Sequence, residues 1–234
     1  CIMSTAYDGS GNGNNGTIFG ATWTAGVIGS EVETPFDGSD DYVDCGTTLD
    51  TDTYSISTWV SLNDVSVRQY ILGLHGNYPS YKGTSIEYWG DTSTNWRIYV
   101  GDGTSYDSVS SNSTPLEVGE LVSLLVTRSG ATINFYVNGD LEFTDTLTSN
   151  FATNFTNLFI GKRGAQDAYF DGNIHNVSIF DHALTATEVT ELYALGKSGD
   201  VTSHSQAIDE YVGDELCDFA NLSTTGSGLT RESN

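Results

Sequence analysis

Short runs of alternating apolar and polar residues, broken by glycine, asparagine and aspartate, recur from Thr17 to Phe180. In Tyr54–Leu62, Ile56, Thr58, Val60 and Leu62 share one face, and Ser55, Ser57 and Ser61 share the other. That period of two is the signature of a half-buried strand. Similar runs span Thr17–Trp23, Asp41–Cys45, Gln69–Leu74, Ser85–Trp89, Trp96–Val100, Leu121–Arg128, Thr132–Val137, Leu141–Thr144, Leu158–Gly161 and Ile174–Phe180. Asn138-Gly139-Asp140 separates two of them. Asparagine and glycine accept the positive φ of a tight hairpin. Many short strands at near-regular spacing predict an all-β antiparallel sandwich or barrel. Hydrophobic residues make up 38% and aromatics 12% of the 234 residues, enough to build a core without disulfides. No apolar run approaches the roughly 20 residues of a membrane span, so membrane insertion is not expected.

One short helix is predicted near the end of this pattern. Thr185-Ala186-Thr187-Glu188 reads as a capping box, in which the threonine and the glutamate satisfy first-turn amides reciprocally. Val189, Leu192, Tyr193 and Leu195 form its apolar side, and Gly196 is placed to end it. After a linker at Lys197–His204, Ile208, Tyr211, Val212, Leu216 and Phe219 recur at helical spacing. They predict a second amphipathic helix in an acidic tail. The expected organisation is a sandwich over residues 1–197 and an assembly or docking segment over 198–234. An isolated helix of about 15 residues is marginal in water. Its apolar side would therefore fold back onto the sandwich or dock on another chain, and docking on another chain is the expectation.

Charge narrows the partners. Lysine and arginine total 8 against 31 aspartates and glutamates, a formal net charge of −23. A protein that tracks a phosphate backbone needs a basic stripe, and Lys162-Arg163 is the only adjacent basic pair. Nucleic acid is excluded. An acidic shell suits cations, neutral sugars or a salty medium. The 3 cysteines, Cys1, Cys45 and Cys217, leave at least one thiol without an intrachain partner and make no zinc pattern.

The ordered pieces resemble a known family. They begin with Asp8-Gly-Ser-Gly-Asn-Gly-Asn-Asn-Gly-Thr17, Gly20-Ala-Thr-Trp23 and Phe36-Asp-Gly-Ser-Asp-Asp-Tyr-Val43. Tyr54-Ser-Ile-Ser-Thr-Trp-Val60, Phe135-Tyr-Val-Asn-Gly139 and Leu158-Phe-Ile-Gly161 follow. Phe170–Thr185, with Glu188, Leu192 and Tyr193, closes the set. Together they resemble a laminin-G-like module of the concanavalin A-like lectin/glucanase superfamily, of the kind found in phage virion and bacterial surface proteins. The resemblance covers residues 5–196. It implies a two-sheet jelly-roll sandwich used for adhesion and glycan binding. The family's usual aromatic-rich first strand is nearly absent, and the tail after Lys197 falls outside the pattern.

Candidate sites follow from residue chemistry. Retaining glycoside hydrolysis needs two carboxylates about 5 Å apart, which a strand supplies as Glu-x-Asp-x-Glu. No such run exists, so the chain is expected not to be an enzyme. Calcium takes six to eight oxygens from carboxylates, amides and carbonyls on a flexible loop. Asp8, Asn12 and Asn14 lie on such a loop, and the resemblance brings Asp171 of the closing strand near it, as a structural calcium site. Asp37, Asp40 and Asp41 are a second candidate. The alternative is that these residues only shape turns. Sugar binding needs flat aromatic faces beside polar groups, and Tyr78, Tyr81, Trp89, Trp96 and Tyr106 cluster among Ser, Thr, Asn and Asp. Trp23 and Trp59 are expected in the core. The sequence thus reads as a non-enzymatic binding or structural protein contacting glycans or cell-surface polysaccharide, extracellular or on a virion surface. A phage decoration, tail or fibre component is favoured. The alternatives are a carbohydrate-binding module of a secreted glycosidase or surface lipoprotein, and an assembly subunit contacting other subunits through its tail.

Overall fold

A computed structural model describes residues 4–6, 8, 10, 12–21, 24–25, 32–46, 51–75, 82–93, 95–102, 104–111, 116–148, 157–164, 169–198 and 215–218. Among them, two eight-stranded antiparallel sheets pack face to face. The first holds β1 (Ser4–Ala6), β2 (Gly16–Phe19), β5 (Tyr42–Asp44), β7 (Arg68–His75), β8 (Lys82–Trp89), β9 (Asn95–Asp102), β10 (Tyr106–Ser110) and β14 (Leu158–Ile160), in the order β1-β2-β5-β14-β7-β8-β9-β10. The second holds β3 (Thr24–Ala25), β4 (Val32–Asp37), β6 (Thr53–Leu62), β11 (Val122–Ser129), β12 (Thr132–Val137), β13 (Asp140–Thr146), β15 (Asp171–Phe180) and β16 (Glu215–Asp218). Its order is β13-β12-β11-β6-β15-β4-β3, with β16 also paired to β15. The expected two-sheet jelly roll is the fold observed. The short β1 stands where the family's first strand was nearly absent.

Alternation decides what each strand buries. Ile56, Val60 and Leu62 of β6 enter the core between the sheets, where Ile86 and Tyr88 of β8 and Trp96, Ile98 and Val100 of β9 meet them. Tyr54 and Thr84 place their hydroxyl oxygens 2.8 Å apart inside that core, so the polar tips are satisfied where water is excluded. The β12–β13 loop is Asn138-Gly139, with φ of 52° and 81°, the conformation a twisted two-residue hairpin requires.

The single described helix, α1 (Ala186–Ser198), starts as its capping box predicts. Thr185 N–H donates to Glu188 Oε2 at 2.6 Å, and Glu188 N–H donates to Thr185 Oγ1 at 3.4 Å. The helix lies on the outer face of the second sheet, where Val189, Leu192 and Leu184 pack with Leu125, Tyr136 and Phe180. Ser55 locks the approach: its Oγ donates to His182 O and accepts from Leu184 N–H, both at 2.8 Å.

Two details differ from the sequence reading. Gly196 does not end the helix. It lies inside it, where a Cβ would stand 2.6 Å from Trp59 Nε1, so its lack of a side chain lets the helix approach Trp59. Trp59 itself is buried, but beneath α1 and not between the sheets: its ring stacks on Tyr193 with centroids 5.4 Å apart. Trp23 lies outside the described residues.

The tail also differs. Residues 215–218 form a strand, not part of a helix, and pair with Ser178–Phe180 of the same chain. β4 pairs with β15 only from Asp171 to Ile174, which leaves the rest of that edge open. Unpaired strand amides and carbonyls recruit a partner, and Glu215–Asp218, containing Leu216, supplies it. Ile208, Tyr211, Val212 and Phe219 lie outside the described residues. No described helix is long and apolar enough to cross a membrane.

Candidate functional site

The outer face of the first sheet has no described helix over it. Register defines its rows across β7, β8, β9 and β10. Tyr70, Glu87, Arg97 and Ser110 form one row, and Gly73, Ser85, Tyr99 and Ser108 the next. Arg68, Trp89 and Asn95 lie on one side of these rows, and Gly83, Gly101 and Tyr106 on the other.

Trp89 is half-buried. From the neighbouring strands Arg68 and Arg97 bring their guanidinium carbons to 3.4 and 4.0 Å from its ring centroid. Its Nε1–H donates to Glu87 Oε2 at 2.8 Å. Glu87 is 0% exposed, and it also accepts a hydrogen bond from Ser85 Oγ and lies 3.8 Å from Arg163. Its oxygens are committed to holding the face together.

Arg163 reaches Glu87 because the chain after β14 crosses the sheet. A Cβ on Gly73 would stand 2.8 Å from Lys162 O and 3.2 Å from Arg163 Cα. The glycine is therefore what lets residues 162–163 lie flat on β7. Arg163 then spans Tyr70 and Tyr99, 5.4 and 4.8 Å from their ring centroids. Burial works against its charge, but Glu87 and the Tyr70 hydroxyl outweigh this and hold its pKa above the usual value. Lys162 points the other way, over Tyr42 at 4.2 Å, Tyr169 at 5.3 Å and Phe159 at 5.7 Å. Tyr42 in turn stacks on Phe19 at 4.5 Å.

The predicted sugar-contacting residues divide. Tyr106 is 52% exposed and stacks on Tyr99 with centroids 4.8 Å apart, beside Ser108 and Ser110. Trp89 shares this face, its ring covered by the two arginines. Trp96 is a correction. It is 0% exposed, packed edge-on against Tyr88 at 5.0 Å between the sheets, because it shares the inward parity of Ile98 and Val100. Tyr78 and Tyr81 lie outside the described residues. Sequence reasoning missed Arg68, Arg97, Lys162, Arg163 and Glu87. The alternation Glu87-x-Trp89 and Arg97-x-Tyr99 held part of that signal.

The metal candidates divide too. Asp8 accepts hydrogen bonds from Ser10 N–H and Ser10 Oγ at 3.0 and 2.7 Å, and from Asn14 N–H at 2.8 Å. Asn12 N–H donates to Ser10 Oγ at 3.2 Å. These are turn-forming contacts. Asp171 stands beside the other loop: it is in register with Asp37, accepts from Asn63 Nδ2 at 2.9 Å, and its Cβ lies 3.0 Å from where Gly38 would carry one. In that loop, Asp37, Asp40 and Asp41 bring carboxylate oxygens within 4.8 Å of one another. Burial pushes the Asp41 carboxyl above its usual range. The Asp37 amide works against this, and the Asp37 and Asp40 charges add to it.

Among the described residues, the architecture is a lectin/glucanase-like jelly roll with a helix over the outer face of one sheet and none over that of the other. The chain belongs to the concanavalin A-like lectin/glucanases superfamily, whose pattern matches residues 37–190. No curated protein matches it by sequence. Among solved structures it is similar to domain 4 of AbnA, a GH43 extracellular arabinanase from Geobacillus stearothermophilus, in complex with arabinotriose. That likeness has a TM-score of 0.61 and 18% identity, over 81% of this chain and 96% of that one. It is similar also to the botulinum neurotoxin serotype D binding domain, with a TM-score of 0.62 and 13% identity, over 86% of this chain and 52% of that one. The chain thus spans about half of that toxin domain. The SAP-like pentraxin of Limulus polyphemus aligns with a TM-score of 0.56 and 16% identity, over 70% of this chain and 82% of that one.

Proposed function

We propose that the protein is a non-enzymatic glycan-binding module whose ligand face is the outer surface of β7–β10. The observation that carries this is Tyr106, exposed and stacked on Tyr99 beside serine hydroxyls and arginine donors. A flat apolar ring covers the C–H face of a sugar while polar neighbours fix its hydroxyls. The complex of the arabinanase domain with arabinotriose supports the reading by fold. Glu87 is held by Ser85, Trp89 and Arg163, a structural use of the one carboxylate described at the centre of this face.

The setting we propose is extracellular or a virion surface, where the sandwich meets host or matrix polysaccharide. A structural calcium ion belongs to the same proposal. Both loops donate amides to their carboxylates, but only Asp37, Asp40 and Asp41, among the described residues, crowd three carboxylates, in a chain of net charge −23. Hard oxygen donors of that kind fit calcium. The test of function is a glycan array probed with the full chain and with Tyr106→Ala. Binding that the variant loses, with no release of reducing sugar, is expected. Binding unchanged by the variant would move the ligand elsewhere.

A further inference from the structure

We propose that the outer face of the first sheet selects glycans carrying negative charge, with Arg97 and Lys162 receiving the acidic groups and the exposed Tyr106, backed by the buried Tyr99, carrying a sugar ring. This rests on the glycan-binding reading above and opposes the expectation of neutral sugars. Cations are scarce in this chain, 8 against 31 acidic residues. Arg68, Arg97, Lys162 and Arg163 nevertheless all stand on one face, each over an aromatic ring. Arg128, by contrast, is fully buried.

Ion pairing explains only two of the four. Arg163 meets Glu87 at 3.8 Å and Arg68 meets Asp91 at 3.6 Å. Among the described residues, Arg97 and Lys162 have no carboxylate within the 4.0 Å of an ion pair. Ring contacts fix their positions, and Glu87, which stands opposite Arg97 in the β8–β9 register, is held instead by Ser85, Trp89 and Arg163. Arg97 donates to Ser108 Oγ, and its Nε is buried with no hydrogen-bond partner. Tyr99, on which the exposed Tyr106 stacks, follows Arg97 on the same face of β9, about 7 Å further along the strand, so the Tyr106 ring and the charge can engage one ligand. A guanidinium fork suits the paired oxygens of a carboxylate or a sulfate. The acidic shell does not forbid this. Charges beyond about 10 Å are largely screened at 0.1 M salt, so the distant acidic shell weighs little at the face.

The test measures binding of the full chain to uronate polysaccharides (polygalacturonate, alginate), to sulfated ones (heparin, carrageenan) and to neutral ones (arabinan, dextran), at low and high salt. At least one acidic class should bind more tightly than the neutral set, with affinity falling as salt rises. The uronate and sulfate arms identify the acid group. Arg97→Gln and Lys162→Gln should each weaken binding about tenfold or more, the scale of a charge-assisted contact, and Arg97→Lys, which keeps the charge and loses the fork, should recover only part of it. Should a glutamine variant fail to fold, the salt dependence of the unaltered chain still decides. Salt-independent binding of neutral glycans would overturn the inference and leave the glycan reading intact. Binding to none of these would overturn both.

Discussion

The two sheets turn opposite kinds of surface outward. Each carries a tryptophan on its outer face, Trp59 on β6 and Trp89 on β8. Trp59 is covered by Tyr193 and by the helix at Gly196, and the face around it is sealed by Leu125, Tyr136, Phe180, Val189 and Leu192. Trp89 is covered by two arginines. The first arrangement removes apolar area from water and serves stability. The second holds charges at a surface where they face solvent, at a gain of only about 0.5–1 kcal/mol per exposed contact. What covers an outward aromatic therefore separates an apolar, helix-sealed face from a charged one.

The largest effects are expected on the sealed face. Trp59→Ala should cost about 3–5 kcal/mol, as for other buried tryptophan truncations, read by chemical denaturation, while the open face keeps its ligand. A second effect on that face depends on pH. His175, opposite Trp59 in the β15–β6 register, has its pKa lowered by burial to about 4. Above pH 6.5 neither state holds the proton and this stability is fully present. As pH falls toward 4 the unfolded chain takes up the proton first, and about 3 kcal/mol is lost. His175→Gln should flatten that part of the stability profile.

Next in size is calcium. A metal that binds only the native state adds about 2.7 kcal/mol at a hundredfold excess over Kd. Chelation should lower Tm, and Asp41→Asn should abolish the response while Asp8→Ala leaves it. A response lost in Asp8→Ala would restore the first loop as the site. The smallest effect is at the helix start: Thr185→Ala should cost about 1 kcal/mol, again with ligand binding unchanged.

Local signals read well from the sequence because they act over a few residues. The strand at Tyr54–Leu62, the Asn138-Gly139 turn and the Thr185–Glu188 capping box all appear in the structure where expected, although β6 is buried on both faces and not on one, since α1 lies over its outer side. What was not legible depends on distant partners. The apolar spacing of the tail fitted a helix, but the open edge of β15 makes a strand of Glu215–Asp218. Trp96 was grouped with exposed aromatics although Trp96-x-Ile98-x-Val100 places it inward. Arg163 joins the open face only because the chain crosses Gly73, about 90 positions earlier, a contact that no local rule reveals.

Ligand binding is proposed on the outer face of the first sheet. Its most direct test is amide chemical-shift mapping of the full chain titrated with an oligosaccharide of the polysaccharide class it binds. Shifts concentrated on Arg97, Tyr99, Tyr106 and Ser108, with Trp59 and Leu192 unmoved, are the predicted result. Shifts centred on Asp37–Asp41 or on the helix-covered face, with the open face silent, would contradict it.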